Sequence, residues 1–384
     1  MPIEQRWRFA AFYACYYAAL GAYTPYIGRW VDSEGFGGYV VGAMLALWYG
    51  TRVISPPLWA LAVTRSARPG GWLVAGCALT LLAFAGFAFT HTALALLLVM
   101  SAFGLFFNAV MPQFEAMTLT ALGSRANEYG RIRVWGSLGF LLVAGSYGAL
   151  LDRWGNGMFV WLTLPLLAAT LWAAALHRHD PGPERVPTPA DAGHLWRRPG
   201  VRRFLIVALL MQVSFGPFYV FYTLHLQAHG HSGLAVGALW AIGVLVEIAL
   251  FWVAPQWIAR FGAERLLPLC LGVTAARWIV TALFADSFAW MALAQATHAL
   301  GFAMFHACNM RLMSVYFPGQ RAATGQSLLY GFSSGIGGVL GAGLAALAWE
   351  QASGTAAFGA AAIVALIAMA VYAGRRAPVP ATAA

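Results

Sequence analysis

Lysine is missing from this chain of 384 residues: all 23 residues counted as lysine or arginine are arginine. That excludes the phosphate-gripping lysine of a P-loop and any Schiff-base lysine. Charge of either sign is scarce, at 9% of residues, where a soluble domain carries about 25%. Only four cysteines occur, Cys15, Cys77, Cys270 and Cys308, each inside an apolar segment. They show no metal-ligand spacing and imply no disulfide, so they read as packing residues. Apolar residues dominate instead, at 61% of the chain. A membrane helix takes about 20 residues, so twelve take about 240, close to that share. Composition therefore argues against a soluble α/β enzyme, a disordered chain or a secreted disulfide scaffold. It describes a polytopic membrane protein.

Hydropathy predicts twelve spans, at 8–31, 39–62, 72–90, 93–121, 134–151, 158–176, 204–227, 235–258, 266–285, 288–315, 326–348 and 355–373. The first is too long and too rich in tyrosine for a cleavable signal peptide, so it reads as a retained span. Eighteen of the 23 arginines fall at the N-terminus, in alternate loops and in the C-terminal tail, whereas the opposite loops hold only Arg29 and Arg153. The positive-inside rule then places both termini in the cytoplasm, which an even number of spans allows, and the membrane expected is a bacterial inner membrane. The net charge of +10 is thus a topology signal and not a nucleic-acid stripe.

The segment from His177 to Arg203 holds five prolines and six arginines and no apolar periodicity. It reads as a cytoplasmic linker. The expected organisation is a six-helix bundle over 1–176, the linker over 177–203, a second bundle over 204–374 and a cytoplasmic tail over 375–384. The halves echo one another. VGAMLALWYGTR (41–52) matches VGALWAIGVLVE (236–247), which puts Arg52 and Glu247 at corresponding places. Gly130 with Trp135-Gly136 likewise matches Gly325 with Tyr330-Gly331. Two parallel six-helix repeats around a mid-membrane site are a secondary-transporter architecture.

These features resemble the major facilitator superfamily, most nearly its phenylpropionate permease-like branch and more distantly the lactose permease and nucleoside/proton symporters. The most specific stretches are YGRIRVWGSLGF (129–140), the Glu247 span, AARW (275–278) and THALGFAMFHACNMR (297–311). The resemblance implies proton coupling through a Glu in span 8, an Arg in span 9 and a His in span 10. Those positions are Glu247, Arg277 and His298 or His306 here. The family loop motif after span 2 departs from its pattern: LAVTRSARPG (61–70) lacks the acidic residue. GALLDRWG (148–155) matches the motif literally but falls on the other side of the membrane, as a half-repeat echo or a coincidence.

Charge at mid-bilayer is costly, so each intramembrane ionisable residue is a functional candidate. Glu247 and Arg277 form a pair that is either a proton switch or a structural lock between helices. Arg52 and Glu115 are expected to pair similarly, with Glu115 serving as a gate, a lock or a proton carrier. Arg311 reads as a snorkelling or inter-helix residue. On span 10, Gln295, His298, Phe302, His306 and Asn309 fall within about 80° on a regular helix. That stripe is expected to line a cavity, the imidazoles taking protons, binding solute or simply sitting satisfied in the core. A shared metal does not suit two histidines eight residues apart.

Aromatic stripes complete the candidate site. Tyr13, Tyr16 and Tyr17 share a face of span 1 with Tyr23 at its margin, and Gln212, Phe215, Tyr219 and Tyr222 share one on span 7. Trp240 shares a face with Glu247, and Asn108 shares one with Glu115. Phenol and amide groups on apolar faces suit a solute with a ring and a few polar atoms, although ordinary packing gives the same pattern. GFSSG (331–335) fits a hydrolase motif, but it lies in an apolar helix without a preceding strand. The function expected is proton symport of a small organic solute, such as an aromatic carboxylate, by a monomer with no cofactor but the proton gradient. Proton-antiport efflux of amphipathic compounds, nucleoside or sugar symport and, remotely, a transport-dead sensor are the rivals. No catalytic or metal site and no nucleic-acid partner is expected; the partners are solute, protons and lipid.

Overall fold

The computed structural model describes residues 3–66, 68–180, 198–318 and 321–374. Arg185, Arg197, Arg375 and Arg376 of the predicted linker and tail lie outside the described residues. Twelve helical rods follow one another, and no strand occurs among the described residues. They are α1 (Ile3–Ser33), α2 (Gly38–Thr64), α3 (Pro69–Phe89), α4 (Ala93–Arg125), α5 (Tyr129–Trp154) and α6 (Asn156–Ala175). Then come α7 (Pro199–Ala228), α8 (Gly233–Phe261), α9 (Ala263–Leu283), α10 (Phe288–Tyr316), α11 (Thr324–Gln351) and α12 (Gly354–Ala373). This is the all-α, twelve-helix polytopic architecture that the apolar runs predict. Ten of the rods are long and apolar enough to cross a membrane by length and composition. The other two are α1, with five tyrosines and charges at both ends, and α2, with Arg52 and the Pro56-Pro57 pair.

The chain packs as two compact units. One comprises Met1–Pro187 with Tyr222–Ala241, the other Thr188–Phe221 with Ile242–Ala384. Within the first, α1 packs on α5 and α6, while α4 packs on α2 and α3. Within the second, α12 packs on α7 and α9, and α9 on α10. Glycine decides how closely some of these pairs approach. A Cβ on Gly139 would run into the backbone of Ala14, and one on Gly104 would lie 2.5 Å from Thr51 Oγ1.

A break in α7 and π turns in α10 and α11 move side chains. Rod α7 breaks between Ser214 and Gly216. Pro217 comes just after that break and supplies no N–H to a regular helix. Rods α10 and α11 contain π segments at Leu300–Met304 and Gly331–Gly337. The hydrolase-like GFSSG thus lies within a π turn. Its neighbours Gly337 and Gly341 lie against the α7 backbone, where a Cβ would stand 2.9 Å from Leu209 O and 2.8 Å from Val213 O.

Candidate functional site

In the second unit, four of the predicted residues converge. Arg277 is buried in the middle of α9, with 3% of its surface exposed. Its Nη1 lies 3.0 Å from His298 Nδ1, and its Nη2 donates to Gln295 Oε1 at 3.0 Å. The guanidinium lies over the rings of Trp278 at 4.3 Å and Phe218 at 4.4 Å. Guanidinium nitrogens only donate, so His298 Nδ1 must accept and the imidazole proton sits on Nε2. Nε2 in turn faces Glu247 Oε2 of α8 at 3.8 Å. That is beyond hydrogen-bond reach. The expected Glu247–Arg277 pair is therefore bridged by an imidazole. Gly243, one turn before Glu247, makes space for it: a Cβ there would stand 3.3 Å from Gln295 Oε1 and 3.6 Å from His298 Cδ2. Gln295 Nε2 is buried with no acceptor among the described residues.

The span 10 stripe is not one face. A π turn holds more residues per turn than an α turn, so it rotates the side chains beyond it. Gln295 and His298, before it, are buried on the Arg277 side. Phe302 stacks on His298 at 5.3 Å, and His306 is exposed. Asn309 is buried again. The structure therefore brings Gln295 and His298 to the cluster and leaves His306 apart from it. Gly301, within the turn, allows Thr274 of α9 to approach closely.

In the first unit, Glu115 does not pair with Arg52. Its Oε1 accepts from Tyr129 OH at 3.2 Å and lies 3.9 Å from Arg133 Nε. Arg133 lies over the ring of Tyr17 at 4.0 Å and that of Tyr13 at 5.5 Å. Helix α5 begins at Tyr129, whereas hydropathy began the span at 134, so Arg133 read as a loop charge. Gly136, one turn on, makes room: a Cβ would stand 2.8 Å from Tyr17 Cδ2 and 2.9 Å from Arg133 Nη1. Arg52 is half-buried on α2.

Most of the remaining candidates are ties within the packing. Tyr16 donates to Phe107 O at 3.2 Å and stacks on Phe107 at 4.3 Å. Tyr23 contacts Met100 Sδ at 3.2 Å and stacks on Trp48 at 4.8 Å. Asn108 donates to Trp48 O and Thr51 Oγ1, each at 3.1 Å, tying α4 to α2. The span 7 stripe is divided between the units: Gln212 and Tyr219 are half-buried in the second, while Tyr222 is buried in the first against Trp240 at 6.0 Å. The residues that sequence reasoning passed over are Arg133, Phe218 and Trp278. The AARW stretch and the second arginine of YGRIRVW were the available signals. Among the described residues, no group of three or more His, Cys, Asp or Glu could hold a metal.

Comparison with known proteins agrees with this architecture. The model of the MFS_1 like family matches residues 6–360. The probable 3-phenylpropionic acid transporter of Escherichia coli (strain K12) is 28% identical over 314 residues, covering 80% of this chain and 82% of that protein. The maltose permease of Geobacillus stearothermophilus is 28% identical over 289 residues, covering 73% of this chain and 72% of its own. Among solved structures, the nucleoside transporter NupG superposes with a TM-score of 0.82 at 15% identity, over 96% of this chain and 99% of that one. An auto-inhibited POT family peptide transporter gives 0.75 at 13% identity, over 99% of both chains. At such identities the solved structures speak for the fold alone. Family model, relatives and fold agree: this chain is a membrane transporter that belongs to the MFS_1 like family of the major facilitator superfamily.

Proposed function

We propose that the protein is a proton-coupled symporter of a small organic carboxylate, with an aromatic acid as the best candidate. The observation that carries this reading is His298 standing between Arg277 and Glu247. Arg277 donates to Nδ1, so the imidazole proton sits on Nε2, aimed at a carboxylate 3.8 Å away. Glu247 has 22% of its side chain exposed against 9% for His298, so it is the member that meets water and protons. As the protonated acid, Glu247 has no charge to present to Nε2–H. As the carboxylate, it is drawn toward the imidazole and the guanidinium behind it. One group therefore has two positions set by its proton, which is what coupling requires.

Arg133 supports the solute class. Its guanidinium is aligned on Tyr17, and Glu115 at 3.9 Å neutralises it only weakly. A planar fork beside an aromatic face suits a carboxylate attached to a ring. The E. coli relative named a probable 3-phenylpropionic acid transporter adds to this reading. The arginine distribution supports cytoplasmic termini, and the bacterial relatives support an inner-membrane location.

The test is Glu247→Gln in proteoliposomes with 3-phenylpropionate as the trial solute. Exchange of solute between the two sides should persist, while accumulation driven by a pH difference should disappear. Accumulation by the variant against a gradient would refute the role of Glu247. Saturable uptake of nucleosides or sugars without uptake of carboxylates would refute the solute class.

A further inference from the structure

GALLDRWG (148–155) takes no part in either cluster, yet its contacts are specific. Asp152, in the last turn of α5, receives Arg29 Nη2 from α1 at 2.9 Å and Gly233 N–H from the start of α8 at 2.6 Å. Arg29 is buried, with 7% exposure. Its Nε donates to Asn156 Oδ1 at 2.6 Å, and Gln227 with its amide oxygen turned inward accepts from Nη1 at 2.8 Å. Thr223 Oγ1 donates to Pro25 O at 2.5 Å beside them. All these residues belong to the first unit.

The backbone crossing beneath makes the charges decisive. Glycine faces glycine where α5 crosses α8. A Cβ on Gly148 would run into the Gly233 carbonyl, and one on Gly237 into the Gly145 carbonyl. At the glycines themselves bare backbone offers little apolar area to bury, so there the contacts to Asp152 are polar ones that water can replace. Helix α8 is also shared: Gly233–Ala241 pack in the first unit, whereas Ile242 onward, with Glu247, belongs to the second. Gly233 and Glu247 are fourteen residues apart on one rod, roughly 21 Å.

We propose that Arg29, Asp152 and the Gly233 N–H form a latch that opens and closes with each transport cycle, with Asp152 as a positioning residue. This rests on the transporter reading, but its test needs no solute. Labelling of an introduced cysteine by a soluble maleimide is followed on the full chain in detergent, with Cys15, Cys77, Cys270 and Cys308 replaced by alanine. The reporter is Leu226→Cys, at a fully buried position beside Gln227. The control is Val63→Cys, buried in the last turn of α2 at the other end of the unit. D152N and R29Q should each speed labelling at 226 about tenfold, the loss of one charge-assisted hydrogen bond. Labelling at 63 should not change, and D152E should recover part of the protection. Unchanged labelling at 226 in both variants would overturn the latch. So would a parallel rise at 63, which would mean general loosening. Absence of uptake by the unmutated protein would overturn the transport reading and leave this measurement intact.

Discussion

Replacing Arg277 by lysine keeps the charge and removes the fork. In the native side chain two nitrogens reach His298 Nδ1 and Gln295 Oε1 at 3.0 Å each, while the planar group lies over Trp278 and Phe218. One ammonium on a flexible stem can keep one of these acceptors, and it stacks poorly. A hydrogen bond to a charged group contributes about 1.5–3 kcal/mol, and a cation–π contact about 0.5–2 kcal/mol. Losing one bond and part of the stacking, offset by repacking, leaves a cost of about 2 kcal/mol. For a unit of this size, that lowers the unfolding midpoint by about 4–8 °C. The assay is thermal unfolding in detergent followed by tryptophan fluorescence, with pH-driven solute accumulation measured in parallel. Arg277→Lys should unfold earlier and lose accumulation. Arg277→Met, which leaves both acceptors unsatisfied in a buried site, should be no more stable than the lysine variant. If Arg277→Lys unfolds at the native midpoint, or Arg277→Met is more stable than the native protein, the fork does not hold this cluster together.

Other parts of the structure yield three further expected outcomes. Arg133→Gln should weaken binding of an aromatic carboxylate by about ten- to a hundredfold, the loss of one charged contact. Its methyl ester should be little affected, and equal losses for acid and ester would exclude a role for the guanidinium. Gly136→Ala puts a methyl group 2.8 Å from Tyr17 Cδ2 and 2.9 Å from Arg133 Nη1. It should lower the same affinity several-fold while folding is retained, since both neighbours are flexible side chains. Beyond the end of α6, His177 is buried among Phe9, Phe12 and Phe114, with Nδ1 2.7 Å from an Asp180 that also binds Arg8 at 3.0 Å. Burial pushes its imidazole below the ordinary value, against the opposing pull of Asp180. The unfolded chain therefore takes up this proton first, so the contribution is complete above about pH 6.5 and declines as pH falls from there. The unfolding midpoint should drop from about pH 6.5 to 5, and less so in His177→Gln; equal slopes would contradict the assignment.

The sequence by itself determined the run of apolar helices and the family, and it marked Glu247, Arg277 and a histidine of span 10, His298 or His306, as the intramembrane candidates. Hydropathy and charge scarcity are local properties, so they survive being read one residue at a time. Tertiary structure decided the partners. Arg133 looked like a topology charge because the hydropathy rise begins after it, yet α5 starts at Tyr129 and carries it to Glu115 and Tyr17. His298 and His306 share a face only on a regular helix, and the π turn at Leu300–Met304 separates them. Hydropathy has no signal for one extra residue in a turn. Asp152 resembled a misplaced motif until folding brought Arg29 and the start of α8 to its two oxygens. A charge in an apolar chain is conspicuous in sequence, but what it does depends on which distant group arrives within about 3 Å, and only packing sets that.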